Sequence, residues 1–208
     1  MYYGERFNSI SHLVGAVLAL VGLGALLTIA IHEGGWRTIV SFSVFGFTLV
    51  LLYTMSTLYH SFPMPRTKRV FQKLDHASIY LLIAGTYTPY MMVSLWNGHG
   101  PAMLVTIWIL ALIGLLLDVL IKTRIKILQV SIYLVMGWIS VLVFQSLRAA
   151  IPLPGIVWLV TGGVAYTAGV IFYVLDELDR LTHAHGIWHL FVLLGSISHF
   201  ISIIGYVR

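Results

Sequence analysis

Seven stretches of this chain each continue for about 20 residues with almost no charge, the length a helix needs to cross a bilayer's hydrocarbon core. They cover residues 10–31, 39–59, 74–95, 101–121, 127–147, 153–175 and 186–207. No water is present at that depth to satisfy backbone N–H and C=O groups, so such stretches must close their own hydrogen bonds as helices. No strand alternation interrupts them. The expected fold is therefore all-α, a polytopic membrane protein whose seven-transmembrane-helix bundle forms one domain over residues 1–208. Only 9% of residues are charged and 59% are hydrophobic, against the roughly 25% charged of a soluble domain. The first stretch is too long for the apolar core of a signal peptide and lacks a small-residue cleavage site, so it is expected to be a retained helix.

Basic residues give the bundle a direction. With alternate connections on opposite sides, Arg6, Arg66, Lys68, Arg69, Lys73, Lys122, Arg124, Lys126 and Arg180 fall on the side of the N-terminus. Arg37, Arg148 and Arg208 fall on the other. The positive-inside rule then puts the N-terminus in the cytoplasm and the C-terminus outside. A net charge of +5 raises the question of nucleic acid, but the basic residues sit in short clusters between apolar stretches, so no nucleic-acid partner is expected. The expected partners are membrane lipids. Short connections require close antiparallel neighbours, with Gly22 with Gly24, and Gly162 with Gly163, expected at tight contacts.

Ionisable groups at membrane depth are costly, and each asks for a partner or a task. His60 ends the second stretch, Asp75 opens the third, and His185 and His189 open the seventh, so the topology brings all four to the cytoplasmic end. His185 and His189 are spaced i, i+4, which puts both rings on one helical face. With His60 they make three imidazoles and leave a fourth tetrahedral position for water, the arrangement of catalytic zinc sites. The chain has no cysteine, so thiolate ligands are excluded. Asp75 is either a further ligand or the group that holds the water and takes its proton; the second role is preferred. Ser56 precedes His60 by one turn and can orient water, a substrate carbonyl or Asp75, or else bond back to its own helix.

His12 and His76 lie near the same ends, where each is a candidate outer partner or alternate ligand, and are kept outside the ligand set. His199, two to three turns deeper, is expected to hydrogen-bond between helices, and His32 and His99 belong to the opposite side. Asp176, Glu177 and Asp179 read as a solvated acidic run. Asp118 is expected to snorkel or pair with Lys122. Tyr2, Tyr3, Trp36 and Trp96 read as an interfacial belt.

The segments Ser56-Thr57-Leu58-Tyr59-His60, Lys73-Leu74-Asp75-His76 and His185-Gly186-Ile187-Trp188-His189 together resemble the hemolysin III branch of the progesterone and adipoQ receptor family. The opening Glu5-Arg6-Phe7-Asn8-Ser9-Ile10-Ser11-His12 and the last helix through His199-Phe200 extend the resemblance over nearly the whole chain. It implies seven helices with the N-terminus inside, and a zinc ion held by His60, His185 and His189 with Asp75 beside its water. It also implies kinship with membrane amide hydrolases that include alkaline ceramidases, and a bacterial-type cell membrane as the location. The chain departs from the pattern in having both His183 and His185 before His189, and in Gly186, where a polar residue is expected. Three activities are carried forward: a zinc-dependent hydrolase of lipid amide or ester bonds, a receptor-like or regulatory protein with a structural zinc, and a cytolytic hemolysin.

Overall fold

The computed structural model describes residues 1–2, 4–120 and 126–208, and every element among them is helical. The order is α1 (Arg6–Glu33), α2 (Trp36–Ser61), α3 (Pro65–Pro89), α4 (Gly100–Leu120), α5 (Lys126–Trp138), α6 (Phe144–Ala150), α7 (Leu153–Glu177) and α8 (Ala184–Tyr206). α5 and α6 form one broken rod, so the described residues make seven rods. Six of these are long and apolar enough to cross a membrane. The exception is α3, whose first turns carry Arg66, Lys68, Arg69 and Lys73.

Each turn has a local cause. Gly34 and Gly35 alone separate α1 from α2, and both take positive φ (71° and 146°), which a side chain would resist. Pro65 starts α3 at a position where a missing N–H costs nothing. The sequence placed this helix at residue 74; it begins nine residues earlier because the basic turns are helical without being apolar. Pro89 cannot donate to the helical ladder, and the chain continues through a wider π turn over Tyr90–Ser94.

The fifth rod departs furthest from expectation. The sequence implied one continuous helix over residues 127–147, but the chain tightens into a 3₁₀ segment over Ile139–Val143. Breaking a helix frees carbonyls that must find donors. The Tyr87 hydroxyl, reaching across from α3, lies 2.8 Å from the carbonyl oxygens of both Met136 and Gly137 and accepts from the Ser140 N–H at 3.0 Å.

The rods close on themselves. α1 packs on α2, α2 on α3, α3 on α4 and α5, α5 on α7, α7 on α8, and α8 returns to α1. Phe42, Phe45, Leu26 and Tyr80 are fully buried, whereas Val21, Leu142 and Ile171 stand on the outer surface. An apolar exterior around a partly polar interior suits lipid as the solvent. Arg208 pairs with Glu33 at 3.2 Å at one end, and Glu5 bonds His60 at the other. The two chain ends thus lie at opposite ends of the bundle, as an odd number of rods requires.

Of the glycines expected at tight contacts, one in each pair is there. A Cβ on Gly22 would lie 2.9 Å from the Phe200 ring and one on Gly162 2.2 Å from His199, whereas Gly24 has nothing within 4 Å and Gly163 only Trp138 at 4.0 Å.

Candidate metal centre

His60 lies in the last turn of α2 and His185 in the first turn of α8, and because these rods run antiparallel and both pack on α1, the three predicted histidines converge. One ligand nitrogen from each of His60, His185 and His189 lies within 4.8 Å of the others. Ring centroids are 5.1 Å apart for His60 and His185, 4.9 Å for His60 and His189, and 4.8 Å for His185 and His189. His60 and His189 are each only 2% exposed.

Which nitrogens face the centre follows from the hydrogen bonds. His60 Nδ1 lies 2.7 Å from Glu5 Oε2, and His185 Nδ1 lies 3.0 Å from Asp176 Oδ2. An ionised carboxylate only accepts, so both Nδ1 atoms carry the proton. His189 Nδ1 lies 3.1 Å from the Asn8 carbonyl oxygen, which also only accepts, and 3.2 Å from Ser11 Oγ. All three rings therefore present the lone pair of Nε2. The His60 Nε2 atom is buried and has no hydrogen-bond partner. Three imidazoles whose Nδ1 atoms are bonded, leaving Nε2 for an ion, are the donor set of a divalent transition metal, and zinc fits it.

A cavity of about 220 Å³ opens beside the cluster, lined by residues of α1, α2, α3, α5, α7 and α8. Asp75, Ser56 and His12 line it together with His185 and His189. It extends along α8 as far as His199, ten residues or about 15 Å from His189. Trp138 also lines it, is 41% exposed, and its indole N–H donates to Thr167 Oγ1 across the seam between α5 and α7.

Ser56 does not bond back to its own helix. Its Oγ lies 2.7 Å from His12 Nδ1, while its neighbour Thr57 makes the back-bond to the Tyr53 carbonyl. His12, set aside in the sequence, is 4% exposed and stacks on His189 with centroids 3.6 Å apart and planes 13° from parallel. It is not among the three that can share an ion. His76 lines the cavity with Nδ1 buried and unpartnered; His183 is exposed and caps the start of α8.

The acidic run is solvent-exposed at Glu177 and Asp179, as expected, but two of its members have partners: Asp176 holds His185 and Glu177 pairs with Lys126. Sequence reading also passed over Glu5. Burial raises its pKa, but bonds from His60, Lys68 and Asn8 outweigh that and hold the carboxyl well below the usual carboxylate range. Burial likewise works against the charged form of Lys68, and its bonds to Glu5 and Tyr2 outweigh it and raise the pKa. Tyr2, expected in an interfacial belt, is instead part of this network. Tyr3 and Lys122 lie outside the described residues; Asp118 accepts from Gln129. His199 Nε2 donates to the Leu159 carbonyl at 3.1 Å, the interhelical bond expected of it. Gly186 has a steric reason to be glycine: a Cβ there would meet the Phe7 ring at 2.1 Å and Asn8 Oδ1 at 3.1 Å. Its bareness lets the start of α1 reach His189.

Residues 2–200 match the Haemolysin-III related family. The chain is 38% identical to the hemolysin-3 homolog of Bacillus subtilis over 97% of its own length and 93% of the relative's. It is 37% identical to hemolysin-3 of Bacillus cereus over 98% and 91%. It is also 28% identical to the human monocyte to macrophage differentiation factor over 97% and 83%. With six helices among the described residues long and apolar enough to cross a membrane, and these relatives, the chain is an integral membrane protein and belongs to the haemolysin-III-related branch of the progesterone and adipoQ receptor family.

Proposed function

We propose that this protein is a zinc-dependent hydrolase of lipid amide or ester bonds, a seven-span protein of a bacterial-type cell membrane, with its N-terminus and metal centre at the cytoplasmic face. The observation that carries the reading is the conjunction of three histidines placed to share one ion with an adjoining cavity that Asp75 and Ser56 line and that runs along α8 to His199. A zinc ion held by His60, His185 and His189 supplies Lewis acidity toward a carbonyl and lowers the pKa of water to about 7. The residues do the rest. Asp75 accepts a proton from the attacking water as its oxygen bonds the carbonyl carbon, and delivers that proton to the leaving nitrogen or oxygen as the old bond breaks. Ser56, turned from its own helix by His12, holds the reacting group in place. The acyl chain lies along the cavity toward His199, with the head group at the basic end of the bundle.

The test is incubation of purified, zinc-loaded protein with a panel of ceramides and phospholipids. Release of free fatty acid that chelation and His60→Ala both abolish is the expected result. Absence of any zinc-dependent turnover across the panel, with His60→Ala indistinguishable, removes the reading.

A second reading rests on where the ligands come from. His60 and the pair His185 and His189 join α2 to α8, helices distant in sequence, so a zinc ion there can act as a structural clasp in a regulatory protein. Removing zinc would then lower the melting temperature sharply with no substrate consumed. The cytolytic reading rests on the names of the Bacillus relatives, and a conductance across bilayers that disappears with His189→Ala would favour it.

A further inference from the structure

The three histidines do not hold themselves in place. Each Nδ1 is gripped from outside: at the start of α1, Glu5 holds His60 and the Asn8 carbonyl holds His189, and near the end of α7 Asp176 holds His185. Two of the three grips are carboxylates. A free imidazole exchanges its proton between nitrogens and its ring rotates about two bonds. A carboxylate on Nδ1 fixes both, leaving the Nε2 lone pair directed inward and more basic.

We propose that Glu5 and Asp176 are positioning residues that set the metal affinity of this centre, and that they act unequally, with Glu5 the stronger. This rests on the metal-binding reading given above. The inequality follows from what holds each carboxylate. Glu5 Oε2 also accepts from Asn8 Nδ2 at 2.8 Å, and Oε1 accepts from Lys68 Nζ at 2.7 Å. The Lys68 ammonium is itself placed over the rings of Tyr2 and Tyr59, at 5.0 and 5.1 Å from their centroids. Three groups, Asn8, Lys68 and the Tyr2 hydroxyl, thus bond this carboxylate besides His60, whose ring is 2% exposed. The Asp176 side chain is 38% exposed and its histidine 24%, so water competes for that bond and screens it. Glu5 stands 55 positions from His60, beyond the reach of any spacing pattern, whereas Asp176 stands nine positions before His185, across the turn that joins α7 to α8.

The experiment is zinc affinity of the full-length protein in detergent, measured by competition with a chromophoric chelator, together with the absorption spectrum of the cobalt-substituted form. Wild type is compared with Glu5→Gln, Glu5→Ala, Asp176→Asn and Glu177→Gln. Loss of an outer partner of a ligating histidine costs roughly 10- to 100-fold in affinity. Glu5→Ala is expected near the upper end and Glu5→Gln, which keeps an acceptor without the charge, nearer tenfold. Asp176→Asn should lose less than Glu5→Gln. Glu177→Gln, whose carboxylate faces Lys126, should keep wild-type affinity.

A shifted cobalt spectrum in the Glu5 variants, with the metal-free melting temperature of Glu5→Gln close to wild type, marks positioning rather than loss of fold. Wild-type affinity in both Glu5→Gln and Asp176→Asn overturns the proposal while leaving the metal centre standing. A larger loss in Asp176→Asn than in Glu5→Gln overturns the ranking. A wild-type protein that binds no zinc overturns both this inference and the reading beneath it.

Discussion

Helices α2 and α8 meet twice through buried polar groups, and the two meetings differ in one respect. Two turns in from His60, the Tyr53 hydroxyl donates to Ser196 Oγ at 2.7 Å, and Tyr166 of α7 reaches the same oxygen at 2.7 Å. Ser196 is likewise two turns from His189. In the inner cluster hydroxyl meets hydroxyl, and every polar atom is used. At the helix ends the outer nitrogens are bonded and an inner one, His60 Nε2, is left open. A closed polar cluster glues helices together in lipid; an open one, equally costly to bury, is a place for something to bind.

The largest expected effect breaks the open cluster. His189→Ala removes one of the three proposed ligands and the ring on which His12 stacks, and stoichiometric zinc should fall to background by elemental analysis of the purified protein. Retention of one zinc per chain would show that the cluster is closed by other means, and the contrast with Tyr53 and Ser196 would disappear.

Gly186→Ala tests how the two clusters differ in their dependence on α1. The added Cβ would meet Phe7 at 2.1 Å, so the start of α1 must move, and it carries both Glu5 and the Asn8 carbonyl. Overpacking of this kind costs about 1–3 kcal/mol. Zinc affinity should fall with stability here, since the shift pulls outer partners from two ligands. An affinity that survives a clear loss of melting temperature would show that the grip on His60 and His189 does not depend on this contact.

How much of this contrast was legible in the sequence depends on the kind of signal. Membrane-length apolar stretches and the i, i+4 pair His185 and His189 are local patterns, and both emerged directly. His60 joined them because the charge count put its helix end on the same side. Glu5 and Asp176 were not legible as parts of the site, and His12 only as a candidate outer partner. A carboxylate near a helix end reads as solvated by default, and its partner lies at a separation that only folding closes. The broken fifth rod was hidden for a related reason, since the hydroxyl that satisfies its freed carbonyls belongs to Tyr87 on another helix. Basic turns at the start of α3 escaped because an apolar window measures hydropathy rather than helix.

The closed cluster should yield a smaller and purely structural effect. Tyr53→Phe deletes the hydroxyl that donates to Ser196 and lies 3.3 Å from the Val192 carbonyl oxygen. Ser196 keeps Tyr166 as partner, so no donor is stranded, and the loss should be that of one ordinary hydrogen bond, about 1 kcal/mol. Zinc content should stay at wild type. A drop in zinc would mean that the two clusters, two turns apart, are one coupled unit.

The smallest effect comes from a position that belongs to neither cluster. Gly24 lies within α1 and a Cβ there meets nothing within 4 Å, unlike Gly22 two residues earlier, whose Cβ would press on Phe200. A helical glycine with free space around it costs roughly 0.5–1 kcal/mol relative to alanine, through the freedom it gives the unfolded chain. Gly24→Ala should therefore raise the melting temperature slightly and leave zinc affinity untouched, while Gly22→Ala lowers stability. In the membrane the unfolded reference is itself largely helical, so the gain should sit at or below the lower end of that range. If Gly24→Ala instead destabilises as much as Gly22→Ala, a second surface packs against this face of α1, and its open side is an interface rather than lipid contact.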